Sequence, residues 1–195
     1  MYKELFRIVI SLVSKTGQTW KELAEKEEKG DEFLSRFVYP FIGLVTASAF
    51  VGVLLTEKEF HTEYALKLAI KALVSSFGGF HLAAWLLNEL RKSIMKQYDN
   101  LRLCRRFVGY ASAPMFAVYI VFSLIPLFPL LDFRLLRMLA LYIYTAYIVW
   151  EGAPSYMHTT ESGRMKFTVT ATGLIILSPE LIGGILFLLM PGMRI

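Results

Sequence analysis

Residues 37–56 read FVYPFIGLVTASAFVGVLLT, twenty positions without a charged side chain. A helix rises about 1.5 Å per residue, so such a run measures about 30 Å, the thickness of a bilayer's hydrocarbon core. Comparable runs recur downstream, since residues 72–88 and 107–131 are also uncharged. The composition agrees: the chain has 195 residues and 22.3 kDa, is 55% apolar and 19% charged, and has a mean hydropathy of +0.50. Soluble domains average about 45–50% apolar and about 25% charged. The chain therefore reads as an all-α, polytopic membrane protein. That excludes a disordered tail, a disulfide-stapled secreted domain and an ordinary soluble enzyme.

Working outward from the first run, five spans emerge. They cover about Phe37–Thr56, Tyr64–Leu90, Phe107–Leu131, Arg134–Glu151 and Phe167–Met190. The third is punctuated by Pro114, Pro126 and Pro129, which predict a kink and then an end. The fifth is interrupted at Ser178-Pro179-Glu180, the order of an N-cap, first helical position and first-turn acid, which predicts a broken or bent helix. Orientation follows from Lys and Arg. Fifteen flank the spans on the N-terminal side of the membrane, and four flank them on the other. The N-terminus is expected in the cytosol and, after five crossings, the C-terminus outside. No small-residue cleavage site follows a compact apolar core near the start, so no removable signal peptide is expected.

Residues 1–36 read as a cytoplasmic amphipathic lead-in to a membrane domain of residues 37–195. Leu5, Phe6, Val9, Leu12 and Val13 recur at helical spacing, as in a helix lying in the membrane interface or packing on the bundle. A second helix is expected from the capping-box spacing of Thr19 and Glu22, with Trp20 at headgroup level and Gly30 as its stop.

Two groups of residues could carry function. Arg91, Lys92, Lys96, Arg102, Arg105 and Arg106 set six basic side chains against Asp99, a local charge of +5 that equals the net charge of the whole chain. Beside a cytoplasmic leaflet such a cluster attracts anionic lipid headgroups, at about 1 kcal/mol per residue near the surface. An acidic protein partner or plain topology-setting charge are the alternatives, and the run matches no nucleic-acid motif. The second group is intramembrane and polar. Lys67, Lys71, His81, Trp85 and Asn88 fall within one arc of span two. Arg137, Tyr144 and Glu151 repeat every seven residues on span four, and Glu180 lies near the middle of span five. Contact between Glu180 and His81 would follow if spans two and five touch. These groups either line a path for a proton, ion or small solute, or act as polar glue and snorkelling charges. The three histidines have no metal-ligand spacing, the single Cys104 forms no internal disulfide, and no nucleophile elbow or phosphate loop is present. Neither metal, cofactor nor enzymatic activity is expected.

Thr19-Trp20, Arg36-Phe37-Val38-Tyr39-Pro40, Val108-Gly109-Tyr110-Ala111-Ser112-Ala113-Pro114 and the Tyr-rich run closing on Glu151-Gly152 occur in that order. In this order they resemble the Yip family of Ypt/Rab-interacting membrane proteins, which has a bacterial branch. The resemblance implies a five-helix bundle with a cytoplasmic N-terminus, here in a bacterial inner membrane. It also implies a role through membrane organisation or a partner, including a second copy of the chain. It marks Tyr39, Pro40, Gly109, Tyr110, Pro114 and Gly152 as family positions. Gly109 would allow close helix approach, and Tyr39 and Tyr110 would anchor at the interface. The acid and glycine of the family's first motif and its long N-terminal region are missing, so GTPase binding is not carried over. A small-solute, ion or proton transporter using His81, Glu151 and Glu180 is the alternative.

Overall fold

A computed structural model describes residues 2–26, 32–56, 62–95, 98–124 and 134–189, and every element among them is helical. Two short helices come first, α1 (Tyr2–Ser14) and α2 (Thr16–Glu25). Five longer ones follow: α3 (Tyr39–Thr56), α4 (Thr62–Met95), α5 (Leu101–Leu124), α6 (Arg134–Ser155) and α7 (Glu161–Leu189). Four of these, in α3, α4, α5 and α7, are long and apolar enough to cross a membrane. In α6 three tyrosines, Trp150 and Glu151 dilute the apolar character of a helix that is long enough, at 22 residues.

The long helices pack as an up-and-down bundle. The most extensive contact pairs α4 with α7, and α4 also packs on α3 and α5, while α6 lies against α7 and α5. Register follows from close approaches. On α4, Gly79 faces Pro179 and Gly78 faces Ile182, so α4 and α7 run antiparallel. Phe37 meets Tyr110 and Phe41 meets Phe116, so α3 and α5 run parallel. The start of α5, the end of α6 and the start of α7 therefore share one end of the bundle with α2. α7 exposes Val169, Leu177, Leu181, Ile185 and Leu188, a surface suited to lipid tails rather than water.

Three helix boundaries differ from the sequence expectation, each for a local reason. A π-helical turn, Leu34–Val38, precedes α3, with the Tyr39 N–H bonded back to the Leu34 carbonyl. Pro40 has no N–H to continue the ordinary ladder, so a wider turn accommodates it. α7 runs unbroken through Pro179. A Cβ at Gly79 would lie 2.5 Å from the Pro179 Cα, so the missing side chain lets the proline turn seat against α4. Thr19 is not a cap, because α2 begins three residues earlier and the Thr19 hydroxyl donates to the Lys15 carbonyl at 3.0 Å. Pro126, Pro129 and Gly30 lie outside the described residues.

Candidate functional site

One end of the bundle is held by an aromatic hub. Trp20 on α2 is fully buried, stacks on Phe107 of α5 with centroids 5.0 Å apart, and meets Tyr110 and Tyr156 edge-on. Its Nε1–H donates to the Ile148 carbonyl on α6 at 3.0 Å. A buried indole needs such a partner. Glycines make the room: a Cβ at Gly152 would sit 2.6 Å from the Trp20 ring, and one at Gly109 would sit 2.7 Å from Phe33. Tyr110 is buried among Phe33, Phe37, Trp20 and Tyr156. Trp20 and Tyr110, expected at headgroup level, thus have their rings packed against protein rather than open to the surface. Both are core residues, because their faces are covered by other aromatics. Tyr39 does remain 40% exposed, against Phe77 and His81, with Pro40 half-buried beside it, and Pro114 is buried within α5.

The basic segment sits at the same end and is partly internal. Arg91 is 6% exposed, with Nη1 3.8 Å from the Cys104 Sγ. Lys92 pairs with Glu89 at 2.9 Å and with Asp99 at 2.7 Å. Asn88 donates to Asp99 at 2.9 Å and accepts the Asn100 N–H at 3.1 Å, while Asn100 accepts the Leu103 N–H at 3.0 Å and so caps α5. The hydrogen bond from Lys92, then that from Asn88, holds the Asp99 carboxyl below the ordinary carboxylate range. Arg102 is exposed, Arg105 and Arg106 are half-buried, and Lys96 lies outside the described residues.

The intramembrane polar residues do not converge on one site. Lys67 pairs with Glu63 of its own helix at 2.5 Å. His81 sits among Phe77, Phe80 and Tyr39, toward α3, with its Nε2 buried and unpartnered. Although α4 and α7 touch, His81 is therefore not brought to Glu180. Glu151 stands at the hub end, 3.6 Å from Arg164, whose guanidinium stacks on Trp150 and donates twice to the Trp150 carbonyl. The side chain of Arg137 is outside the described part. Tyr144 donates to the Val13 carbonyl at 2.7 Å, tying α1 to α6.

The structure does bring Lys71 and Glu180 together, in a cleft of about 450 Å³ between α4, α5, α6 and α7. Tyr119, Tyr142 and Ser76 add hydroxyls, and the remaining walls are largely apolar. Sequence reasoning missed that these two side chains line one cleft. Gly183 marks the close approach of α7 to α4 here, since a Cβ on it would lie 3.5 Å from both Lys71 and Ser75, a contact that the sequence does not announce. Among the described residues no group of His, Cys, Asp and Glu is arranged to hold a metal ion.

No curated protein and no solved structure matches the chain. The Yip1 domain family model matches residues 10–190, nearly the whole sequence. The matched range takes in α2 to α7, and the chain belongs to the Yip1 domain family.

Proposed function

We propose that this chain is a non-enzymatic, five-span scaffold that organises a bacterial inner membrane. Its N-terminus is cytosolic and its C-terminus outside, with residues 1–36 as lead-in and residues 37–195 as membrane domain. The 22 residues of α6 supply the fifth crossing, at about 33 Å. The observation that carries the reading is the double face of α1. Leu5, Val9 and Leu12 are buried against the protein, whereas Phe6, Ile10 and Val13 stay exposed, Ile10 at 65%. Lys3 and Arg7 flank this second stripe, and Arg102 is exposed at the same end. A helix docked on one side with apolar and basic groups on the other suits the boundary between headgroups and acyl chains. Anionic headgroups are its partner in this reading.

Enrichment of a fluorescent anionic lipid around protein reconstituted in mixed vesicles tests it. Replacing Lys3, Arg7 and Arg102 by Gln should abolish the enrichment, whereas equal enrichment by the variant would contradict the proposal. A transport role has one specific observation in its favour, the cleft reaching Glu180. Its expected result is solute flux in proteoliposomes that Glu180→Gln removes, and intact flux in that variant would count against it.

A further inference from the structure

The Lys71–Glu180 cleft lies away from the aromatic hub. Glu180 lies thirteen positions beyond Phe167, the first residue after Lys166; at about 1.5 Å each, that is about 20 Å into a core about 30 Å thick. Lys71 immediately precedes the uncharged residues 72–88 of α4. A carboxylate and an ammonium at such depth are costly unless each has a partner. Among the described residues no ion pair or hydrogen bond joins them. The Lys71 ammonium instead stands 5.4 Å from the centre of the Phe187 ring, and Glu180 is exposed beside Tyr119 and Tyr142.

We propose that this cleft binds a zwitterion, seating a primary ammonium on Glu180 and an acidic phosphate on Lys71. The inference rests on the cleft that supports the transport reading and names its ligand chemistry. A simple anion drawn to Lys71 meets the Glu180 carboxylate, and a simple cation drawn to Glu180 meets Lys71. One ligand carrying both charges satisfies both residues and leaves the cleft neutral. Tyr119 and Tyr142 line the cleft near Glu180, and aromatic rings attract cations. The volume of about 450 Å³ lies within the range of small-molecule pockets, about 300–1,000 Å³. An ethanolamine-phosphate lipid headgroup and free phosphoethanolamine share this chemistry.

The test uses full-length protein, stripped of lipid in detergent, and native mass spectrometry with phosphatidylethanolamine and phosphatidylglycerol of identical acyl chains. The ethanolamine lipid should be retained with a preference of about tenfold or more, as expected for charge-assisted hydrogen bonds. Glu180→Gln and Lys71→Gln should each remove that preference. Leu68→Trp, which fills the cleft without altering either charge, should do the same, so misfolding of one variant leaves the test intact. Displacement by soluble phosphoethanolamine assigns the site to free zwitterions as well, and lack of displacement assigns it to the lipid headgroup; both support the site. Equal retention of the two lipids, or a preference that survives both charge substitutions, overturns it. Binding without flux would remove transport and keep the site, whereas flux without binding would remove the site alone.

Discussion

Gly152 and Gly173 both sit inside long helices, yet they predict opposite outcomes on substitution. A methyl at Gly152 meets the Trp20 and Phe107 rings, whereas one at Gly173 meets nothing within 4 Å. Gly152→Ala should therefore destabilise the protein by about 1–3 kcal/mol through overpacking. Gly173→Ala should stabilise it by about 0.5–1 kcal/mol through helix propensity. Thermal unfolding in detergent separates the two. Trp20→Ala should cost about 3–5 kcal/mol, because it removes a large buried ring. Asp99 adds a pH dependence. Its carboxyl is held low by Lys92 and Asn88, so its stabilising contribution is present above the ordinary carboxylate range and fades as pH falls through the lowered value. Melting temperature should drop on acidification, and Asp99→Asn should flatten that drop; an unchanged profile in the variant would dismiss the assignment.

At the scale of elements, α3, α4 and α5 were legible because hydrocarbon-length runs without charge have few other readings, whereas α6 and α7 rested on the shorter uncharged runs 138–150 and 167–179. What could not be read is which face of each helix meets which neighbour. Lys71 and His81 lie ten residues apart, about 80° apart around a helix, so an arc containing both could not say which one faces α7. The structure gives that face to Lys71 and turns His81 toward α3. Trp20 shows the same limit. An aromatic at the end of an amphipathic helix can face lipid headgroups or pack into protein, and only the distant rings of Phe107, Tyr110 and Tyr156 show that its faces are covered. Proline within α7 was visible, but its consequence was set by Gly79 about one hundred residues earlier. Gly79→Ala should therefore loosen α4 from α7, because the facing atoms belong to the Pro179 backbone and cannot rotate away. A disulfide cross-link between the paired helices should form more slowly in that variant than in the wild type.

For the whole molecule, the hub and the cleft occupy different levels of one bundle. The hub end gathers the lead-in helices, the basic segment and the turn between α6 and α7, whereas the cleft is lined further along the bundle by Lys71, Tyr119, Tyr142 and Glu180. Charge counting and helix register lead independently to this grouping, since one depends on Lys and Arg in the loops and the other on packing between helices. The arrangement has meaning only if the lipid lies across the bundle with the hub end in the cytosol. Single cysteines at Lys15, Tyr98, His158, Lys58 and Arg194, placed in a Cys104→Ser background and labelled with a membrane-impermeant maleimide from either side, test this most directly. The account predicts that Lys15, Tyr98 and His158 react only from the cytosolic side, and Lys58 and Arg194 only from the other. Reaction of Tyr98 from the same side as Lys58, or of Lys15 from the same side as Arg194, would contradict it.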